Sequence, residues 1–475
     1  MSAVQLAKEL QANSNEVTIF TGSNLQIPHS YRSLGIHFEQ YSSTNPSQNV
    51  DINKDLISSC VLQGPYSIAA IRSLIEYKKH FKDDQEAMFY DDAAINRLNQ
   101  SRFDFIIIDY ISAPQYALPY LLDRPFAVFG IECPIGAFRM PYAPSFVPNI
   151  VTLFSDNMSL WQRMVNTILH ALATAGAGWW QMETTKALVP HKPAIAINDL
   201  SSEAQLCLRT KAPLIETVRP TQPNVISVPI IGRPAKPLSS ELESFLRNAQ
   251  YSSVVLVSFG SWLDQLPESV IVRFLAAFAQ FKMTVLWKYT GRLDVDVPSN
   301  VFLMTWIPQN DLLARNQTKL LITHGGQYSI TEAMYHGVPM ITFPIMVDQF
   351  QNSIAAESKG IALHLPREFA PADLIRMINA TQQDDMQKTT RRTSEIFRSL
   401  SEAGSSSVAF WIDHVIRFGG RELRPASMDL RWWQYMLLDV AFAYFLLAWL
   451  LWRIGCKFAG GLIRRRPHNQ HMKAE

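Results

Sequence analysis

The fold is decided by the stretch WIPQNDLLARNQTKLLITHGGQYSITEAMYHGVPMITFPIMVDQFQN, which runs from Trp306 to Asn352. Its apolar run Leu320–Thr323 is too short for a helix and leads through His324, Gly325 and Gly326 into a segment with helical spacing. The pattern predicts a strand, a glycine turn and the start of a helix. Glycines let the backbone approach a ligand closely, and the free N–H groups at a helix start suit a phosphate.

Polar side chains at this turn add the donors and acceptors that a nucleotide requires. His324 and Ser329 offer donors at the predicted helix start. Glu332 follows Ser329 by three positions and therefore lies on the same helix face. Its carboxylate can accept hydrogen bonds from ribose hydroxyls, as an acidic residue does in dinucleotide sites.

Two further groups extend this set on either side. The strand-like run Met340–Phe343 precedes Asp348 and Gln349, whose carboxylate and carboxamide can share the hydroxyls of a sugar ring. Upstream, Trp306 offers a flat face for a base and Gln309 an amide for its edge. A histidine–glycine–glycine turn by itself is more often only a tight turn. All these groups in order within one stretch favour a site for a nucleotide diphosphate sugar.

The blocks WIPQNDLLA, ITHGG, EAMYHGVPM and DQ resemble the UDP-glycosyltransferase family and are most similar to animal UDP-glucuronosyltransferases. The resemblance implies that the tryptophan and the first glutamine contact uracil and ribose, and that the histidine and serine contact phosphate. It assigns the glutamate to the ribose and the aspartate–glutamine pair to the transferred sugar. Tyr328 departs from the asparagine that the family often has. The implied donor-binding residues are Ser261, Trp306, Gln309, His324, Gly325, Gly326, Ser329, Glu332, Asp348 and Gln349.

The predicted fold class is α/β, with two doubly wound Rossmann-like domains facing across a cleft (GT-B architecture) and one C-terminal transmembrane helix. Apolar strand-like runs alternate with helical segments, which predicts parallel sheets covered on both faces. Family-like landmarks such as FDFIIID, VSFGS and SDNMSLWQR extend the resemblance over nearly the whole chain. The predicted divisions are an acceptor-binding domain at 1–222 without its first strand, a linker at 223–240, a UDP-sugar-binding domain at 241–428, a transmembrane helix at 432–452 and a basic tail at 453–475.

Composition narrows the function classes. A chain of 475 residues and 53.9 kDa is long enough for about two domains. A formal net charge of +2 implies no nucleic-acid partner. The four cysteines are sparse and argue against a disulfide scaffold or a structural zinc site. We therefore expect no cofactor and no metal, with a UDP-sugar as co-substrate.

The C-terminal region predicts a membrane anchor. Residues 432–452 are apolar with tryptophans at both ends, and the residues beyond them are strongly basic. A buried core helix is the alternative, but the terminal position and the basic flank favour a single pass with a cytoplasmic tail and lumenal catalytic domains. Residence in the endoplasmic reticulum is implied by the resemblance alone. The sequons at Asn99, Asn157, Asn316 and Asn379 are compatible with a lumenal location.

Asp109 is the candidate catalytic residue. It ends the apolar run FDFIIID, and functional groups of doubly wound sheets lie at the carboxyl ends of strands. A helix cap or a turn is the alternative role for this aspartate. In the family, such an aspartate orients a histidine that takes the proton of the acceptor hydroxyl.

That histidine would fall just before Met1, and neither His29 nor His37 can be assigned its role from position. Residues 1–8 also lack the pattern of a signal peptide. In a doubly wound sheet the first strand is usually central. We hypothesise that the sequence is incomplete at its N-terminus, which sequencing the 5′ end of the transcript would decide.

Three functions follow from these residues. The leading one is transfer of glucuronate from UDP-glucuronate to small lipophilic acceptors with inversion. The second is transfer of glucose or another hexose from its UDP-sugar, because no residue in the sequence reads out the carboxylate of glucuronate. The third is a catalytically impaired partner that binds nucleotide sugar, with pairing to an identical or homologous chain left open.

Overall fold

The computed structural model describes residues 2–25, 27, 31, 34–43, 46–109, 113–133, 138–141, 143–149, 152–179, 184–211, 214–229, 234–260, 266–291, 293–402 and 408–464. Ser261 and His29, both considered above, lie outside these ranges.

The N-terminal half contains two parallel sheets. Strands β1 (Thr18–Gly22) and β2 (His37–Tyr41) pair with each other. The second sheet has the order β3–β4–β5–β6, formed by Ile106–Asp109, Phe126–Gly130, Leu206–Lys211 and Val225–Pro229. The helices of this half are α1 Ser2–Ala12, α2 Pro46–Gln63, α3 Ile68–Glu86, α4 Asp92–Gln100, α5 Ala117–Leu122, α6 Leu160–Trp179 and α7 Ile197–Ser201, with 3₁₀ turns at Ala87–Tyr90 and Ala113–Tyr116.

The C-terminal half contains one six-stranded parallel sheet of order β12–β11–β10–β7–β8–β9. In chain order its strands are β7 Val254–Ser258, β8 Thr284–Lys288, β9 Val301–Met304, β10 Thr318–Thr323, β11 Met340–Thr342 and β12 Ala362–His364. The helices that accompany it are α8 Ser240–Asn248, α9 Glu268–Phe278, α10 Gln309–Leu313, α11 Gln327–His336, α12 Gln349–Ser358, α13 Pro371–Thr381 and α14 Asp384–Glu402.

Both faces of the six-stranded sheet are buried, which confirms the doubly wound prediction. Successive residues of a strand point to opposite faces. In β7, Val255 and Val257 belong to one apolar cluster, whereas Val254 and Leu256 belong to another. A sheet covered on both sides needs continuous apolar strands. The strands β7 to β11 are therefore confirmed, with shifts of up to two residues at their ends, from the predicted apolar runs Val254–Ser258, Thr284–Trp287, Val301–Met304, Leu320–Thr323 and Met340–Phe343.

After the second sheet, the chain returns to the N-terminal half. Helix α15 (Val408–Phe418) joins an apolar cluster with α1 and with strands β4, β5 and β6. The Val408 backbone N–H donates to the Glu9 carboxylate at 2.9 Å, and the Gly420 N–H donates to the Gln205 side chain at 3.0 Å. Two 3₁₀ turns follow, at Arg421–Leu423 and Ala426–Asp429. Helix α15 therefore packs on the N-terminal half, although it follows the second sheet in the chain.

The apolar C-terminal segment forms two helices. Helix α16 (Trp432–Tyr435) lies on the soluble part, where the Tyr435 hydroxyl donates to the Met140 carbonyl at 2.6 Å. Leu437 has a left-handed φ of 54°, which interrupts the helix, and α17 (Leu438–Arg464) begins directly after it. Within α17, Leu438–Lys457 is long and apolar enough to cross a membrane, and all of it is exposed. The candidate span therefore begins later than the predicted Trp432.

A disulfide joins Cys133 to Cys207. Cys133 follows β4 and Cys207 lies in β5, and these strands pair side by side. The sparse cysteines did not predict this bridge, because the two residues are 74 positions apart and only the sheet brings them together. A single bridge between neighbouring strands is still not a disulfide scaffold, since both halves have large apolar cores.

Candidate functional site: a cleft at the carboxyl ends of the C-terminal sheet

The glycine turn after β10 has the predicted form. Gly325 has a φ of 83°, which is costly for any residue with a side chain. A Cβ atom there would lie 2.5 Å from Ser353 Oγ and 3.0 Å from the Gln349 carbonyl oxygen. Gly326 then caps α11 without a side-chain hydrogen bond. Gly326 has no side chain to bond the first N–H groups of α11, and anions bind at such helix starts.

The structure brings Gln309, Ser329 and Glu332 together beside this turn. Gln309 is the first residue of α10, and its Nε2 donates to Glu332 Oε2 at 2.8 Å and to Ser329 Oγ at 3.2 Å. A carboxylate accepts several hydrogen bonds, so the bond from Gln309 leaves acceptor capacity for hydroxyls of a ligand. We call these three residues the ribose cluster, because they match the residues that the sequence assigned to ribose, uracil and phosphate.

His324 is partly buried directly after β10. Its pKa is lowered to about 4, first by burial and second by the positive charge of Lys288. The imidazole is therefore neutral near pH 7. A neutral imidazole offers one N–H donor and no positive charge to an anion.

Lys288 is a residue that the sequence reasoning missed. It ends β8, its Nζ donates to the Gly260 carbonyl at 2.7 Å, and it lies 5.7 Å from the centre of the Trp306 ring. Trp306 is 63% exposed, so its face is open to a base. The available signal was the position of Lys288 at the carboxyl end of a predicted strand, where ligands of such sheets bind.

Asp348 and Gln349 lie where α12 begins, beside the glycine turn. Burial raises the pKa of Asp348, and a hydrogen bond from Asn352 at 2.8 Å opposes this rise. The Asn352 amide also donates to the Gly325 carbonyl at 3.1 Å. Gln349 Oε1 accepts the backbone N–H groups of Ile345 and Met346, which directs its NH₂ group away from them.

Asp109 is the last residue of β3 and is exposed. Its position at a carboxyl end is the one that the sequence predicted. His37 is the first residue of β2, at the amino end, and its ring bonds to Glu39 at 3.2 Å. Catalytic groups of doubly wound sheets lie at the other end, so the structure gives no support to His37 as a base.

In the ranges that the structure describes, no three histidine, cysteine, aspartate or glutamate side chains come together as a metal site. The expectation of a reaction without metal or cofactor stays a prediction.

Known proteins resemble this chain over most of its length. Residues 1–459 match a family described as "UDP-glucoronosyl and UDP-glucosyl transferase". Human UDP-glucuronosyltransferase 2B15 is 30% identical over 466 residues, which cover 92% of this chain and 86% of that protein. The mouse 2-hydroxyacylsphingosine 1-beta-galactosyltransferase is 29% identical over 395 residues, which cover 80% of this chain and 72% of that protein.

Solved structures share the fold at low identity. The glycosyltransferase of kitacinnamycin superposes with a TM-score of 0.56 at 19% identity, covering 87% of this chain and 95% of that chain. The glycosyltransferase VinC in complex with dTDP superposes with a TM-score of 0.55 at 16% identity, covering 88% of this chain and 96% of that chain. This likeness shows the two-domain fold.

Proposed function

Because the chain belongs to the UDP-glucoronosyl and UDP-glucosyl transferase family, and is therefore a glycosyltransferase, we propose that it transfers glucuronate from UDP-glucuronate to small lipophilic acceptors. The ribose cluster beside the glycine turn carries this proposal, because it supplies acceptors for ribose next to donors for a diphosphate. The similarity to a human UDP-glucuronosyltransferase over 92% of the chain supports glucuronate as the transferred sugar.

In the proposed reaction, the acceptor hydroxyl oxygen attacks the anomeric carbon of the sugar. A base takes the hydroxyl proton, a new carbon–oxygen bond forms, and the bond to the β-phosphate oxygen breaks with inversion. Negative charge grows on the departing UDP. The N–H groups at the start of α11, the His324 donor and the Lys288 ammonium are the groups placed to stabilise that charge. On the N-terminal side, Asp109 is proposed to orient the base.

A second candidate is transfer of a neutral hexose, which the similarity to a mouse galactosyltransferase favours. The deciding experiment presents the full chain in membranes with UDP-glucuronate, UDP-glucose and UDP-galactose, and with a panel of lipophilic phenols and lipids as acceptors. We expect turnover with UDP-glucuronate. Turnover with a neutral hexose alone contradicts glucuronate transfer. UDP binding without any turnover favours a catalytically impaired partner.

We further propose that the chain is a single-pass protein of the endoplasmic reticulum, with both domains in the lumen and the basic tail in the cytoplasm. The apolar, fully exposed helix Leu438–Lys457 supports the anchor. The Cys133–Cys207 disulfide supports a lumenal domain, because such bonds persist in oxidising compartments and are rare in the cytosol.

A glycan on Asn157 tests this orientation. Asn157 and Ser159 of its sequon are both exposed in the loop before α6. We expect peptide N-glycosidase to increase the mobility of the chain expressed in animal cells. The Asn157→Gln and Ser159→Ala variants should both show a smaller increase in mobility on enzyme treatment, since either change removes the sequon. A chain that has the mass of the bare polypeptide, and whose mobility does not change on treatment with peptide N-glycosidase, contradicts the lumenal placement.

A further inference from the structure

The structure assigns to Gln351 a positioning role that rests on the proposed transferase function: we propose that it holds the sugar-binding helix α12 against the N-terminal half of the molecule. Gln351 lies two residues after Gln349, on the helix that begins at the proposed sugar site. Its Nε2 reaches across the cleft to the backbone carbonyls of Asn149, Thr152 and Phe154.

The contacts of Gln351 require a hydrogen-bond donor. Its Nε2 lies 3.2 Å from the Asn149 carbonyl, 3.4 Å from the Phe154 carbonyl and within hydrogen-bond distance of the Thr152 carbonyl. The Thr152 hydroxyl, at 3.4 Å, itself donates to the Asn149 carbonyl. Each of the four atoms that Nε2 contacts is therefore an acceptor, and only the NH₂ end of the amide can bond to them. An acidic or apolar side chain would leave these carbonyls without that partner.

The segment that Gln351 contacts is also bonded, through neighbouring backbone groups, to a buried amide of the N-terminal half. Asn166 of α6 is fully buried, and its Nδ2 donates to the Pro144 and Val147 carbonyls at 2.8 Å each. Its Oδ1 accepts the Asn149 N–H at 2.7 Å. The buried amide of Asn166 thus fixes the segment around Asn149 independently of Gln351. The two amides together connect α6 in the N-terminal half to α12 in the C-terminal half.

Helix α12 is also tied to the donor side. Asn352, the next residue, bonds to Asp348 and to the Gly325 carbonyl in the glycine turn. Ser353 and Ala356 are buried, so α12 stays packed on its own sheet without Gln351. The contact of Gln351 therefore sets where the sugar lies relative to the acceptor half, and contributes little to donor binding within the C-terminal half. Reacting atoms displaced by about 1 Å lose on the order of 100-fold in rate.

Three substitutions of Gln351 and one control variant test the positioning role. We expect Gln351→Leu and Gln351→Glu to lower kcat by about 10-fold or more, with UDP affinity unchanged within about twofold, because the donor across the cleft is lost. Gln351→Lys keeps a donor of similar length, since lysine has three N–H groups and no acceptor, and should retain most of the rate. Ser358→Ala, an exposed change at the end of the same helix, should behave as the unsubstituted chain.

Amide hydrogen exchange gives a readout that does not depend on turnover. Exchange at residues 143–149 and 152–154 should quicken in the leucine and glutamate variants and stay slow in the lysine variant. Equal rates and equal exchange in all three variants overturn the proposal, as does a loss of UDP affinity in all three. If the exchange pattern holds but no UDP-sugar is turned over by the unsubstituted chain, the contact stands and the proposed transferase function fails.

Discussion

Replacing Asp109 with asparagine is expected to lower turnover by about 100-fold or more while leaving UDP affinity nearly unchanged. The substitution keeps the shape of the side chain but removes its negative charge, which is what orients and stabilises a histidine that accepts a proton. Asp109 ends β3, next to Phe129 of β4, so its backbone is fixed by the sheet. The proposed donor site lies in the other half of the molecule, so we expect UDP binding not to involve Asp109. Initial rates at saturating donor and acceptor, together with calorimetric UDP binding, measure the two quantities separately.

Asp104→Asn provides the matched control. Asp104 is exposed shortly before the amino end of the same strand, away from the end where catalytic groups lie. The turnover rate of the Asp104→Asn variant should equal that of the unsubstituted chain. Unchanged turnover in Asp109→Asn would mean that the base is held by another residue. A parallel fall in UDP affinity would mean that Asp109 acts through the fold rather than in the reaction.

The sheet of the donor half was predictable because its strands are buried on both faces. A strand such as β7, Val254–Ser258, has to be apolar at every position, and a continuous short apolar run is visible in the sequence. The glycine turn was also predictable, because its backbone conformation restricts the residue type and the glycine is visible in the sequence. Only glycine tolerates the φ of 83° and the close approach of Ser353 at position 325.

Contacts made to backbone atoms of distant segments were not predictable. Gln351 donates to carbonyls about 200 positions earlier in the chain, and carbonyls are the same in every residue. Lys288 lies in a predicted strand end, yet its approach to Trp306 depends on how β8 and the segment after β9 lie together. Helical spacing predicted that Ser329 and Glu332 share one face, whereas only the family resemblance assigned Gln309 to the same ligand, since its helix is separated from theirs by β10.

Replacing Glu332 with glutamine should weaken UDP binding about 10- to 100-fold, because hydrogen bonds to a charged group contribute about 1.5–3 kcal/mol. Glu332 is held by the 2.8 Å bond from Gln309, and Glu332→Gln keeps its size and removes its charge.

The measurement is UDP affinity by calorimetry, which requires no turnover and therefore tests the donor site even if the chain proves inactive. Glu241→Gln on α8 is the matched control, since Glu241 is exposed and lies outside the ribose cluster. A second comparison uses uridine in place of UDP. The loss should be similar for both ligands, because Glu332 is proposed to contact the ribose that they share. A loss confined to UDP would instead assign Glu332 to the diphosphate, and equal affinities in the variant and the unsubstituted chain would remove it from the donor site.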